Sequence, residues 1–150
     1  MSKVPYRGSC FCKGIQFSLA AEPRACANCH CTYCQRSSGA PFVTWAVFQK
    51  LDLAMEDPSA LLRWCQSSEF SKRAFCGSCG TLLFFESELC VGELHVTYVS
   101  VEGLAQKPKY NCFVDQKVDW VTLESDLIPL SSDSQELGHY RKVQSLSTPE

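Results

Sequence analysis

The residues Cys76-Gly77-Ser78-Cys79-Gly80 form a C-x2-C pair followed by glycine, a pattern typical of turns that bind zinc. A second pair, Cys10-Phe11-Cys12, stands much earlier in the chain. Zinc prefers four tetrahedral ligands, and the two pairs together supply four thiolates. We therefore predict a closed structural zinc site at Cys10, Cys12, Cys76 and Cys79. Such a site joins distant turns, so metal binding adds to the stability of the fold. The alternative is two unrelated cysteine pairs.

A third cluster, Cys29-His30-Cys31-Thr32-Tyr33-Cys34, offers three sulfurs and no obvious fourth ligand. Structural zinc sites are closed, whereas catalytic sites keep three protein ligands and an open position. Zinc with three thiolates is a weak Lewis acid but a good host for a soft sulfur ligand, which it holds as the nucleophilic thiolate. We therefore predict a catalytic zinc at Cys29, Cys31 and Cys34. Cys26 remains a rival fourth ligand, and so does His30, although its neighbours on both sides should turn its ring away.

Length, charge and cysteine content narrow the class of protein. The chain has 150 residues, a net charge of −2 and 11 cysteines. This length suits one domain with its own core, and the charge favours neither nucleic-acid nor membrane surfaces. The first residues lack the apolar stretch of a signal peptide, and no apolar run has the length of a membrane span. We expect a cytoplasmic protein, with a nuclear location as the alternative, whose cysteines bind metal rather than form disulfides.

Most segments have the pattern of β-strands, because apolar and polar residues alternate or β-branched and aromatic residues dominate. The predicted strands are Gly14–Leu19, Phe42–Phe48, Leu82–Phe85, Leu94–Val101, Phe113–Val114 and Trp120–Leu123. Pro58–Trp64 reads as one helical turn or a hairpin. The interpretation is a mainly β, mostly antiparallel domain over residues 1–130, followed by a polar tail over residues 131–150 that is flexible or docks through a short helix near Leu137.

The residues after the third cluster are candidates for substrate binding. Arg36 could pair with a substrate carboxylate, Ser37 could form hydrogen bonds, and Gly39 would let a ligand approach the backbone. A polar turn in solvent explains them equally well, and the same ambiguity holds for Arg73. Trp45 is expected in the core rather than in a pocket. The isolated cysteines are expected to be buried apolar residues, namely Cys65, Cys90 and Cys112.

Three motifs in this order resemble the glutathione-dependent formaldehyde-activating enzyme family, also called the CENP-V/GFA domain. They are Gly8–Cys12, the run from Cys29 to Phe42, and Arg73–Thr81. The resemblance implies an Mss4-like fold of antiparallel β-sheets organised around zinc. It also implies two zinc ions per chain, a structural one at the outer pairs and a catalytic one at the middle run. The activity that it implies is condensation of glutathione with formaldehyde, a carbon–sulfur lyase reaction.

Two positions depart from the family pattern. Family members often have glycine after the second cysteine of the first pair, where this chain has Lys13 before Gly14. Many also carry a His-Ile-aromatic segment late in the domain, where this chain has Asn111-Cys112-Phe113-Val114. Neither change touches a predicted zinc ligand. The second change puts the identity of the substrate in doubt.

The leading hypothesis is a zinc enzyme that binds a small thiol, such as glutathione, and adds it to formaldehyde or a similar small aldehyde. The rivals are a non-catalytic zinc scaffold, a carrier of the adduct, and a thiol redox enzyme. A zinc deaminase is disfavoured because His30-Cys31-Thr32 lacks the glutamate of the H-x-E motif. We expect no direct nucleic-acid or membrane partner, and the sequence leaves the proton donor and the oligomeric state open.

Overall fold

The computed structural model describes residues 4–140, and every structural statement below concerns that part of the chain. It contains eleven β-strands, one α-helix and four 3₁₀ helices. The strands are β1 (Tyr6–Ser9), β2 (Gln16–Leu19), β3 (Ala25–Cys29), β4 (Val43–Gln49), β5 (Leu53–Glu56), β6 (Leu62–Gln66), β7 (Ser71–Cys76), β8 (Leu82–Ser87), β9 (Glu93–Thr97), β10 (Tyr110–Cys112) and β11 (Ile128–Leu130). The helix α1 is Thr32–Ser38, and the 3₁₀ helices are Lys50–Asp52, Tyr98–Ser100, Val114–Gln116 and Gln135–Leu137.

The strands form two sheets. A three-stranded antiparallel sheet has the order β1-β2-β5, and an eight-stranded sheet has the order β11-β10-β3-β4-β9-β8-β7-β6. Within the large sheet, β10 runs parallel to both β3 and β11, and the other pairs are antiparallel. The mainly β, mostly antiparallel fold predicted from the sequence is therefore confirmed, with two parallel pairs at one edge.

The two faces of the large sheet pack into different apolar clusters, and β4 shows this most clearly. Successive side chains of a strand point to opposite faces. Ala46 and Phe48 are fully buried in the main core, which also contains Phe17 and Leu19 of the small sheet. Trp45 lies in a second apolar cluster on the other face. Burial of both faces explains why β4 reads as a nearly continuous apolar run.

The main core fills the space between the sheets. Its fully buried members include Ile15, Leu83 and Leu94, and the Phe17 and Phe84 rings meet edge to face with centroids 5.3 Å apart. Burying one such side chain stabilises the fold by about 1.5–3 kcal/mol. This packing fixes the large sheet, so the opposite face becomes a rigid support for the second cluster of cysteines.

Two predicted strands are wrong. Phe113 adopts a left-handed conformation with φ 57°, which ends β10 and leads into a 3₁₀ helix at Val114. Trp120–Leu123 forms turn and coil, because the Lys117 ammonium donates to the carbonyls of Val118 and Val121 and closes a compact loop. Leu94–Val101 is a strand only as far as Thr97. Pro58–Trp64 contains a turn that leads into β6 rather than a helix.

The C-terminal segment packs on the large sheet as far as the structure describes it. Leu137 is buried in the second apolar cluster, and Tyr140 packs against the same cluster. The rest of the predicted tail, residues 141–150, lies outside the described residues.

No helix within the described chain combines the length and the hydrophobicity needed to cross a membrane.

Candidate metal centres

The first cysteine cluster brings the two outer pairs together. The sulfurs of Cys10, Cys12, Cys76 and Cys79 all lie within 4.8 Å of one another. Cys12 Sγ is 3.6 Å from Cys10 Sγ and 3.8 Å from Cys76 Sγ. Tetrahedral zinc with Zn–S bonds of about 2.3 Å places its sulfurs about 3.8 Å apart. The four side chains therefore fit a metal ion of this kind.

The backbone around this cluster is shaped to present the sulfurs. Gly80 has φ 80°, and its N–H donates to the Cys76 carbonyl at 2.8 Å, which closes the second turn. Lys13 also has a positive φ of 61°, a conformation that glycine adopts more easily than lysine. The Thr81 hydroxyl joins the two turns, because it accepts from the Phe11 N–H at 3.0 Å and lies 3.2 Å from Cys79 Sγ.

The second cluster lies where β3 passes into α1. Cys29 ends β3, Cys31 is the N-cap residue of α1, and Cys34 lies in its first turn. Their three sulfurs lie within 4.8 Å of one another, and no further His, Cys, Asp or Glu of residues 4–140 joins the group. The Cys34 N–H donates to Cys31 Sγ at 3.3 Å, so the helix start itself orients one sulfur. The cluster can hold a metal ion through three thiolates.

Two buried donors from the large sheet contact Cys34. Trp45 Nε1 donates to Cys34 Sγ at 3.4 Å, and Arg73 Nη1 donates to the same sulfur at 3.6 Å. Hydrogen bonds within the cluster, chiefly from Cys29, and the positive charge of Arg73 hold the pKa of Cys34 well below its usual value. A lowered pKa favours the thiolate form of Cys34, which is the form that binds metal.

Neither rival fourth ligand reaches the second cluster. Cys26 is fully buried on the other face of β3, within the main core. The His30 ring is buried and donates through Nε2 to Asn111 Oδ1 at 3.1 Å, while it packs on Phe42 with centroids 4.9 Å apart. The ring thus points away, as its position between two ligands predicts. Among the described residues the cluster keeps three protein ligands.

A cavity of about 260 Å³ opens beside the second cluster and is lined by all three of its cysteines. The walls come from α1, from strands β3, β4 and β7 to β11, and from the segment after β11. Aromatic rings form much of the surface, among them Trp45, Phe85, His95, Tyr110, Phe113 and Tyr140. Arg73 is the one lysine or arginine among the described lining residues. The cavity can accommodate a small molecule next to the three sulfurs.

A hydrogen-bonded group of polar side chains adjoins the cavity. His95 Nε2 lies 3.1 Å from Glu93 Oε2, and the Tyr140 hydroxyl donates to the same oxygen at 2.8 Å. The hydrogen bond from His95 is the main reason that the pKa of Glu93 is lowered, so the carboxylate stays charged and orients the imidazole. His95 lines the cavity and therefore places a group that can exchange protons within it.

The residues predicted to bind substrate lie elsewhere. Arg36, Ser37 and Gly39 are exposed and none of them lines the cavity. Gly39 is the C-cap of α1 with φ 68°, so its glycine serves the helix end. The Ser37 hydroxyl accepts from Arg73 Nη1 at 3.3 Å, which places it behind the cavity wall. Their role in substrate binding stays a prediction, and the geometry gives it no support.

The structure corrects two expectations about other residues. Trp45 is buried, but it lines the cavity instead of belonging to the main core. Cys65 is exposed on β6 and is not a buried apolar residue. Cys90 and Cys112 are half-buried, and Cys112 lines the cavity, where burial raises its pKa to about 12. Arg73 on β7 faces the site, whereas the sequence alone did not decide between a position at the site and one in solvent.

Comparisons with known proteins identify similar sequences and one similar structure. The sequence model of the family described as glutathione-dependent formaldehyde-activating enzyme matches residues 5–116. An uncharacterized lyase of Schizosaccharomyces pombe is 32% identical over 80 residues, which cover 53% of this chain. The match covers 56% of that lyase, so this chain spans just over half the length of its curated relative. A crystal structure of a Rhodobacter sphaeroides protein shares the fold with a TM-score of 0.52 at 18% identity, covering 83% of this chain and 99% of the other.

Proposed function

This chain belongs to the glutathione-dependent formaldehyde-activating enzyme family, and from that premise we propose that it is a zinc-dependent carbon–sulfur lyase. In the synthetic direction it adds a small thiol to formaldehyde or a similar small aldehyde. The family is described with glutathione as that thiol. The proposal assigns a structural zinc to the first cluster and a catalytic zinc to the second. The lyase name of the curated relative supports the reaction class.

One observation carries the proposal. Three sulfurs at Cys29, Cys31 and Cys34 lie within 4.8 Å of one another, have no fourth ligand among the described residues, and line a cavity. A closed site would serve stability alone, whereas an open site beside a cavity admits a ligand. Zinc at this place would favour the thiolate form of an incoming thiol.

The residues of the chain have distinct roles in this reaction. The Trp45 and Arg73 donors hold Cys34 in place, as outer hydrogen bonds do for metal ligands in general. The apolar walls exclude water from the reacting groups. As the carbon–sulfur bond forms, the electrons of the aldehyde C=O double bond move to its oxygen, which needs a proton. We assign both proton transfers to His95, oriented by Glu93 and Tyr140. Its imidazole takes the proton that the thiol loses on becoming a thiolate and gives that proton to the new alkoxide.

The direct test follows the addition of a thiol to carbon-13-labelled formaldehyde by NMR, with and without zinc-loaded protein. The wild type should exchange free and thiol-bound formaldehyde faster than the uncatalysed mixture does. Cys31→Ser should return the exchange to the uncatalysed rate, while Cys65→Ser, on exposed β6 outside both clusters, should keep the full rate. Equal exchange with and without the wild type, for glutathione and for other thiols and aldehydes, would favour the scaffold or carrier.

His95→Gln should lower the catalysed rate about 10²-fold or more, because general acids contribute roughly 10²–10⁴-fold to such reactions. His139→Gln is the matched control, since His139 is exposed and does not line the cavity. The same NMR exchange experiment measures both variants, and their zinc content should equal that of the wild type. An unchanged rate in His95→Gln would remove His95 from the mechanism.

A further inference from the structure

We propose that the cavity beside Cys29, Cys31 and Cys34 accepts a thiol with an apolar, ring-sized carbon body in preference to a polar peptide thiol such as glutathione. The position of the thiol group, at a metal held by the three sulfurs, rests on the function proposed above. The preference for an apolar body follows independently from the walls, the charges and the volume of the cavity.

Aromatic side chains make up much of the cavity walls. Phe85 contacts Trp45 with centroids 6.2 Å apart and His95 with centroids 5.2 Å apart, and the His95 and Tyr140 rings lie 5.5 Å apart at 74°. The aliphatic part of the wall includes Val47. Aromatic rings attract one another in edge-to-face or offset arrangements, so a ring inside the cavity can pack against these walls in the same way.

The charges do not suit glutathione, whose carboxylates, ammonium group and peptide bonds all need partners. Arg73 is the one lysine or arginine among the described lining residues, and its Nη1 already donates to Cys34 Sγ and Ser37 Oγ. Its buried Nε, which has no hydrogen-bond partner within residues 4–140, is one donor against the two carboxylates of glutathione. Glu136 lies on the lining and is exposed, so it repels a carboxylate that approaches. Each polar group that is buried without a partner lowers affinity by roughly five- to hundredfold.

The volume also exceeds what a one-carbon aldehyde requires. The cavity measures about 260 Å³, and an apolar protein cavity of about 150 Å³ is large enough to hold benzene. Because the three sulfurs form part of the lining, a thiol that reaches them from the cavity places its carbon body between these walls. A ring with a one-carbon arm to its sulfur, as in benzyl mercaptan, matches both the walls and the sulfurs.

Ala27 is a position at which a larger side chain would fill part of the cavity. It lines the cavity from β3, and its register partners are Trp45 on β4 and Tyr110 on β10. Its small side chain leaves room between these two aromatic residues. Leucine at this position adds apolar volume without adding charge, so it should fill part of the cavity and displace a ring.

Binding is measured on zinc-loaded protein that carries Trp64→Phe and Trp120→Phe, which leaves Trp45 as the single tryptophan of the three in the chain. Both replaced residues are exposed. Trp45 then reports occupancy of the cavity through its fluorescence. The probes are benzyl mercaptan, toluene and glutathione. We expect benzyl mercaptan to bind at least tenfold more tightly than glutathione, and toluene to bind without any thiol.

Ala27→Leu should weaken the binding of both ring-containing probes at least tenfold, while Ala54→Leu, the same change at an exposed position of β5, should leave both unchanged. Ala25→Leu, on the same face of β3, repeats the test if Ala27→Leu does not fold. The inference is overturned if glutathione binds as tightly as benzyl mercaptan. It is also overturned if neither Ala27→Leu nor Ala25→Leu changes the affinity for toluene. Equal affinities for toluene and benzyl mercaptan support the apolar cavity and overturn the role proposed for the sulfurs.

Discussion

Arg73 is the residue whose position says most about the second metal centre. Zinc with three thiolates has a net charge of about −1, and burying a charge is costly unless an opposite charge compensates it. Arg73 is 7% exposed and lies 3.6 Å from Cys34 Sγ. Its guanidinium also packs over the Phe85 ring at 4.8 Å, which fixes it there. A buried cation of this kind balances the charge of a three-sulfur metal centre.

Arg73→Gln should therefore weaken zinc binding at the second cluster about 10- to 100-fold, as loss of an outer partner of a metal ligand does in general. Competition with a chromophoric chelator measures the affinity of the weaker zinc in each protein. Arg63→Gln is the matched control, because Arg63 is exposed on neighbouring β6 and donates to the carbonyls of Ala60 and Leu62. Equal zinc affinities in Arg73→Gln and wild type would show that Arg73 does not compensate the centre.

The helix α1 is the element that organises the second cluster. It begins at the Cys31 cap, carries Cys34 in its first turn, and ends at Gly39, whose N–H donates to the Gln35 carbonyl at 2.8 Å. The hydroxyl of Ser38 donates to the Cys34 carbonyl at 2.6 Å and supports the last turn. With seven residues, the helix depends on its two ends, because so short a helix has little stability of its own.

Gly39→Ala should destabilise the zinc-loaded protein by about 1–2 kcal/mol, since the left-handed conformation costs other residues about that much. A Cβ at Gly39 would meet nothing within 4 Å, so the cost comes from the backbone alone. Gly138→Ala is the matched control, because its Cβ also meets nothing and its φ is −53°. Urea unfolding gives both free energies, and equal values for the two variants would contradict this account of the helix end.

Elements whose signal is local were predictable from the sequence. The spacing of the cysteines identifies both clusters, because neighbouring ligands share one tight turn or one helix start. Alternation identifies β2, and β-branched and aromatic residues identify β4. The helix α1 was missed because its seven residues contain no apolar repeat of helical period.

The cavity could not be predicted, because pairing between distant strands creates it. Both faces of β4 are buried, so its sequence does not show that Trp45 faces the cavity while Ala46 faces the main core. Arg73 on β7 contacts Cys34 of α1 although 39 residues separate them in the chain. His95 and Tyr140 come together from β9 and the C-terminal segment, 45 residues apart. These contacts depend on the whole sheet rather than on any local pattern.

In the molecule as a whole, the two clusters join different parts of the fold. The first joins the turn after β1 to the turn after β7, since Cys12 and Cys76 are 64 residues apart in the chain. The second joins β3 to the helix that follows it directly, so it closes no long loop. Removing metal from the first cluster should therefore affect folding, and removing it from the second should affect the reaction.

Cys76→Ser should abolish cooperative folding, because structural zinc contributes about 10–16 kcal/mol in small zinc domains, comparable to the whole stability of a typical domain at about 5–15 kcal/mol. Cys31→Ser should keep the fold and contain one zinc per chain instead of two, since serine can still cap α1. Circular dichroism and metal analysis of the purified variants measure both results. A folded Cys76→Ser protein with intact cooperativity would contradict the division of tasks.

Selenium K-edge X-ray absorption of the zinc-loaded protein mixed with a small selenol tests whether the second cluster has an open position, because the added molecule alone contains selenium. An open three-sulfur centre predicts a zinc neighbour of selenium, slightly beyond the Zn–S distance of about 2.3 Å. The same neighbour should be absent in Cys31→Ser. Selenium without a zinc neighbour in the wild type, at full zinc content, would show that no open position exists and would contradict the account.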